Sequence, residues 1–302
     1  MLSQIQQLAQ KGLQNGFLKS ISSTSVNNDS SSLIFHYGPF VSNIFYYFRH
    51  EWIKSFIRNS GGQYNFLWVD SIDQVTQTPN MTIGWQTKLP NNNSHPPLLL
   101  KRENQEEDDD YLCVNYIKPV NDINLVRLAN ERTSFWKKYF SKREKLEVIS
   151  IKQSQFNINY HFSSDVEPYH LETIQSNNNS SLNLLLNINH TLITLLIDSE
   201  MKSLHPLLTV HQIGIKSTSK TTELSFYLSK LLSYKYHLRV LRLNNDNENA
   251  DYIPFHILLN DDSIKTGLCL VWNRDTQLNE QMHVKQVAKR LADYFHALEN
   301  FV

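Results

Sequence analysis

From about residue 203 to the C-terminus, short apolar runs alternate with amphipathic stretches, and this alternation limits the fold more than any other feature. Residues 207–215, 238–243, 253–259 and 267–272 read as strands, bounded by polar turn-forming clusters. Between the first two, residues 221–234 set Leu224, Tyr227, Leu228, Leu231 and Leu232 at helical spacing, with Glu223 near the positive end. Residues 284–298 repeat that pattern with Val287, Leu291, Tyr294, Phe295 and Leu298. Strands joined through helices form an α/β domain, here of about a hundred residues.

The earlier part has a different grain. Pro39 suits a first helical position, and Val41, Ile44, Phe45, Phe48, Trp52 and Phe56 follow at helical spacing until Gly61-Gly62. Residues 65–70, 111–118, 146–151 and 156–162 read as strands, and 182–197 as an antiparallel hairpin. A second helix starts near Asp122 and carries Leu125, Leu128, Ala129, Phe135, Trp136 and Tyr139 on one side. The Asn-, Pro- and acid-rich stretch 91–110 reads as a solvated loop. Neighbouring strands with flanking helices predict an α+β domain with an antiparallel sheet. The expected domains are 1–200 and 201–302.

Lys plus Arg and Asp plus Glu both number 29, so no overall attraction to nucleic acid or anionic membrane is written in the charge. The apolar stretches fall short of the roughly 20 residues of a membrane span. Glycine is scarce, at 8 in 302 residues. Neither GxGxxG nor a Walker loop occurs, which disfavours a phosphate-cradling enzyme. Cys113 and Cys269 lie far apart in apolar runs and read as buried thiols. No metal-ligand spacing is present, and no cofactor is implied. Residues 1–28 lack acids and place Leu2, Ile5, Leu8, Leu13, Phe17 and Ile21 on a loose apolar face. That suits a targeting segment of about 25 residues or the first helix of the fold.

Few stretches carry possible chemistry. Phe48-Arg49-His50-Glu51 matches a synthetase ATP-site pattern, but its phase is helical, where that site needs a strand. His161 and His170 stand apart from other ligand-type residues. Lys137, Lys138, Lys142, Arg143 and Lys145 cluster at a helix end. They serve as a solvated terminus that complements the helix dipole, or as contacts to a phosphate backbone. The stretch GLCLVWNRDTQLNEQMHV (267–284) holds Arg274, Asp275, Glu280 and His283, and reads as the last strand and the entry to the last helix.

That stretch, together with HPLLTVHQIGIKS (205–217), resembles the anticodon-binding domain of class IIa aminoacyl-tRNA synthetases. With its helix to residue 295 it is similar to the end of the accessory subunits of mitochondrial DNA polymerase gamma. YGPFVSNIFYYFRHEW, LVRLANERTSFWKKYF and FNINYHFSSDVEPYHLETI resemble earlier segments of that family, in family order. The resemblance implies a degenerate class II synthetase-like domain followed by an anticodon-binding-like domain. It implies a non-catalytic processivity factor of the mitochondrial matrix and nucleoid, bound to the polymerase catalytic subunit and to primer–template DNA. Gly267, Leu268, Arg274 and Asp275 would then lie at the partner surface, and the five basic residues at the DNA. Vertebrate-type members dimerise through a long helical insertion. Between Val69 and Leu125 this chain shows no helical periodicity. The resemblance therefore implies no homodimer of that kind and a one-to-one heterodimer, as in insect-type members. An active synthetase and a stand-alone RNA-binding module are the alternatives.

Overall fold

The computed structural model describes residues 2–26, 30–59, 66–69, 81–86, 98–101, 111–117, 125–152, 154–162, 167–177, 181–243 and 250–300. The chain divides into two compact units, Phe17–Asp198 and Met1–Gly16 with Ser199–Val302. Helix α1 (Leu2–Gln14) therefore groups with the later unit, away from the residues that follow it in sequence. It ends where Gly16 takes a positive φ, and a strand begins at Leu18.

The Phe17–Asp198 unit contains two sheets. β1 (Leu18–Val26) and β2 (Ser30–Tyr37) form an antiparallel pair, and helix α2 (Pro39–Asn59) follows. Next come β3 (Phe66–Val69), β4 (Met81–Gln86), β5 (Leu98–Lys101), β6 (Tyr111–Ile117) and helix α3 (Leu125–Tyr139). The unit closes with β7 (Leu146–Lys152), β8 (Gln155–Tyr160), β9 (Tyr169–Asn177), β10 (Ser181–Asn187) and helix α4 (Ile188–Asp198). The small sheet runs β1-β2-β5, and the large one β3-β4-β6-β10-β9-β8-β7. Every pairing in the large sheet is antiparallel except β3 with β4.

Two expectations change here. β5 lies inside the stretch expected to be loop; the rest of 91–110 is outside the described residues. The hairpin expected over 182–197 is a strand running directly into a helix. Asn187 caps that helix by accepting the amide of His190 at 3.0 Å. α4 buries Ile188, Leu192, Ile193, Leu195, Leu196 and Ile197. A helix buried on all sides has no polar stripe, so its period is invisible in sequence.

The apolar residues of α2 meet α3 in an aromatic seam. Phe48 sits 5.9, 5.3 and 5.7 Å from the rings of Phe135, Trp136 and Tyr139. Such pairs add about 0.5–1.5 kcal/mol each beyond burial. At the sheet end of the seam, Glu172 of β9 is fully buried. Its carboxylate accepts the indole N–H of Trp52 (3.3 Å), the indole N–H of Trp136 (2.6 Å) and Nε of Arg132 (3.0 Å).

The second unit has a five-stranded sheet. β11 (Ile213–Ser217), α5 (Thr222–Lys230), a π-helical turn (Leu231–Lys235), β12 (Val240–Leu243) and β13 (Phe255–Leu259) come first. A short helix α6 (Asp262–Thr266), β14 (Leu268–Asn273), β15 (Asn279–His283) and α7 (Val284–Asn300) complete it. The order is β12-β11-β13-β14-β15, parallel across the first three strands and antiparallel thereafter. Ile213, Ile215, Ile257 and Val271 face Leu228, Leu232, Val287, Leu291 and Phe295 in one core.

The strand expected at 207–215 shrinks to β11, because residues 205–209 form a turn: Leu208 N–H donates to the His205 carbonyl and the Thr209 hydroxyl to that of Pro206. Tyr227, expected on the core face of α5, is exposed. β15 escapes sequence detection because Met282 is its one buried residue, and a polar edge strand has no apolar alternation.

His170 on β9 gives a pH prediction. Burial, with His190 as the smaller contribution, lowers its pKa from the ordinary 6.5 to about 4. Its Nδ1 is 3.0 Å from Asn159 Oδ1 and its Nε2 2.7 Å from Thr173 Oγ1. The unfolded chain binds more protons between those two values, so stability is full above pH 6.5 and falls as pH drops toward 4. The loss is at most about 3 kcal/mol. Urea unfolding of wild type and His170→Gln across that window should show a slope that the variant lacks.

Candidate functional site

Among the described residues no group of three or more His, Cys, Asp or Glu could hold a metal ion. No described helix is long and apolar enough to cross a membrane. Both cysteines are buried and neither forms a disulfide, and burial raises the Cys269 thiol to about 11, far from a reactive thiolate. His161 pairs with Glu147 at 2.5 Å on the surface. Arg49 and Glu51 of the FRHE stretch lie on α2. The Arg49 guanidinium sits 5.8 Å from the rings of Phe45 and Tyr46, and Glu51 accepts the Tyr139 hydroxyl at 3.0 Å. The candidate sites are therefore surfaces.

The first is the β14–β15 hairpin with its flanking residues. Gly267 ends α6 with φ +70° and its N–H donates to the Ser263 carbonyl at 3.0 Å. A Cβ there would lie 2.5 Å from Nε2 of His283, so both conformation and space require glycine. Leu268, half-buried, faces His283 across the strands. Arg274 is buried. Its guanidinium donates to the carbonyls of Tyr252 (2.7 Å) and Leu204 (2.8 Å), and Nε to the Asp275 carboxylate (2.7 Å). Asp275 is exposed, and its N–H donates to Asn273 Oδ1 at 2.9 Å in a side-chain-closed turn. Glu280 pairs with Arg290 of α7 at 2.9 Å. Arg274 thus pairs with Asp275, Glu280 with Arg290, and His283 accepts the Lys285 amide at Nδ1 (3.2 Å), so the four do not share one reaction centre.

Beside the hairpin, the sheet face opposite the α5–α7 core is partly open. Leu258 and Leu270 pair across β13 and β14, and Leu270 is 39% exposed. They floor a groove of about 510 Å³ rimmed by Lys216, Ser217, Thr218 and Asn260. An apolar floor with a polar rim is the build of a partner surface. Sequence reading missed it, although its signal is present: Leu258 and Leu270 alternate with the core residues Ile257 and Val271.

The second surface is the basic end of α3. Asp198, buried, accepts the backbone amides of Ser141 (2.6 Å) and Lys142 (3.1 Å) and the Tyr160 hydroxyl (2.9 Å). That fixes the turn after α3, from which Lys142 and Arg143 project. Burial and the Asp198 charge push the Tyr160 phenol pKa up, keeping it a neutral donor. The five cations separate by role. Lys137 and Arg143 are exposed. Lys142 is half-buried, and Lys138 lies 3.9 Å from Glu51. Lys145 donates to the Phe162 carbonyl at 2.9 Å and sits 5.4 Å from the Phe162 ring.

No family model matches the chain. Over 118 residues it is 29% identical to the DNA polymerase subunit gamma-2, mitochondrial, of Drosophila melanogaster. That match spans 32% of this chain and 33% of the relative, about a third of each. Two structures of prolyl-tRNA synthetase from Cryptosporidium parvum, one complexed with L-proline and AMP and one with halofuginone and AMPPNP, align with a TM-score of 0.63. They cover 97% of this chain and 78% and 77% of theirs, at 9% identity, a likeness of fold alone. The chain thus has a class II synthetase-like α+β fold that ends in a C-terminal α/β part. In sequence it resembles a polymerase gamma accessory subunit.

The buried Arg274 yields a test. Arg274→Met removes the guanidinium donors to the carbonyls of Leu204 and Tyr252 and should cost about 3 kcal/mol in urea unfolding. Asp275→Asn, on the exposed side of the pair, should cost under about 1 kcal/mol.

Proposed function

We propose that this chain is a non-catalytic accessory subunit of the mitochondrial DNA polymerase. In this role it binds the catalytic subunit, strengthens that subunit's hold on primer–template DNA, and works in the mitochondrial matrix at the nucleoid. The observation that carries the reading is the 29% identity to a polymerase gamma subunit, in a chain with a synthetase-like fold. Loss of aminoacylation is supported by the scarcity of glycine and by the placement of Arg49 on a helix.

The catalytic subunit would dock on the C-terminal α/β unit. The Leu258–Leu270 groove would receive its apolar contacts, with Leu268 and Asp275 beside it. Gly267 and Arg274 would act by holding the hairpin in shape. DNA phosphates would be met first by Lys137 and Arg143, the exposed members of the basic cluster. Lys138, Lys142 and Lys145 would keep that turn electropositive behind them.

Primer extension on a long template tests this. Adding the chain to the catalytic subunit should lengthen products and extend synthesis to higher salt. Unchanged product length at every salt concentration overturns the proposal, as does amino-acid-dependent ATP–pyrophosphate exchange by the pure chain. Lys137→Ala with Arg143→Ala should reduce the slope of log K against log salt for duplex DNA by about 2.

A one-to-one complex is part of the proposal. It is supported by the sequence between Val69 and Leu125, which carries no helical periodicity; the described residues of that stretch lie in β4, β5 and β6. Light scattering should find the isolated chain at its monomer mass of 35.3 kDa. A stable dimer argues against the one-to-one assembly.

A further inference from the structure

The outward side of α5 and its π-helical turn holds large aromatic rings in solvent. Phe226 is 46% exposed, Tyr227 61% and Tyr234 79%. The leucines of the same segment are turned inward, Leu228 and Leu232 into the core and Leu224 and Leu231 against it. Phe226, Tyr227 and Lys230 share one helical face, and Tyr234 continues it one turn on. A π-helical turn inside a helix often marks a functional site.

Cations frame these rings. The Arg242 guanidinium, from edge strand β12, lies over the Phe226 ring 3.4 Å from its centre, so a cation is stacked on one face of that ring. Lys230 is exposed on the helix, and Lys235 lies 5.4 Å from the Tyr236 ring. Within α5, the turn and β12, Lys230, Lys235 and Arg242 stand against a single carboxylate, Glu223.

We propose that Phe226, Tyr227 and Tyr234, with Lys230, Lys235 and Arg242, form a binding platform for single-stranded nucleic acid. Unpaired bases stack on exposed rings whatever their sequence, while phosphates meet the cations between them. Tyr227 and Tyr234 lie about 10 Å apart along the helix axis. That leaves room for bases stacked at roughly 3.4 Å. Duplex DNA has its bases already stacked inside and offers these rings nothing. The interleaving of rings with three cations against one carboxylate favours a polyanion with stackable bases over a protein partner. The platform extends the polymerase reading without depending on it, since it needs only this chain.

The test is fluorescence anisotropy of the full chain, without polymerase, on labelled oligothymidylate, oligouridylate and a duplex of equal length. Wild type should bind the single strands, and the stronger of the two identifies DNA or RNA as the source. Tyr227→Ala with Tyr234→Ala should weaken single-strand binding at least about tenfold at unchanged salt slope. Tyr227→Phe with Tyr234→Phe keeps the rings and should bind like wild type, which separates stacking from any effect on folding. Lys230→Ala with Lys235→Ala should lower the single-strand salt slope by about 1.4. No binding by wild type, or wild-type affinity in the alanine pair, overturns the proposal. An alanine pair that binds single strands normally but no longer co-elutes with the catalytic subunit also overturns it and makes this a protein-docking face.

Discussion

The carboxylate of Glu172 is the interaction on which the Phe17–Asp198 unit depends. It stands fully buried on a central strand and holds the indoles of Trp52 and Trp136 and the guanidinium of Arg132. These donors come from α2 and α3, so one acid joins both helices to the sheet. Arg132 is itself enclosed, 4.2 Å from the Phe56 ring and 4.4 Å from that of Phe135, with Nη1 donating to Ser55 at 2.6 Å. Either charge left alone inside would cost about 3–5 kcal/mol. Each therefore requires the other, and the aromatic seam excludes the water that could replace either.

The C-terminal unit uses the same device with the sign reversed. Arg274 brings a buried cation to the start of the β14–β15 turn and spends its donors on the carbonyls of Leu204 and Tyr252 and on Asp275. Asp198 holds the α3 turn by accepting two backbone amides and a phenol. In each case a buried charge shapes a loop, and the loop then presents another residue outward: Asp275 at the hairpin, Arg143 after α3. Charged residues that sequence reading treats as one functional group are thus divided between those that build the surface and those that form it.

The fold alone would not have led to a polymerase. A synthetase-like architecture at 9% identity is a scaffold that hosts several functions. The proposed polymerase role rests on the shorter sequence match, over about a third of the chain.

The helices α2, α3 and α7 and most core strands were legible in the sequence, because each buries one face and leaves the other wet. That difference writes a period of 3.6 or 2 into the residues. α4 was illegible because it is buried on every side, and β15 because almost none of it is buried. The candidate surfaces were legible only as neighbourhoods. The sequence by itself determined an α+β part followed by an α/β part, the buried thiols, and the cluster of cations after an aromatic helix. Tertiary structure alone decided that Lys145 serves a carbonyl while Arg143 meets solvent, that Arg274 is buried while Asp275 is not, and that Tyr227 faces out of its helix. The physical reason is that periodicity reports how much of an element is buried, whereas the role of a charge or ring depends on which distant atoms the fold brings within hydrogen-bonding distance.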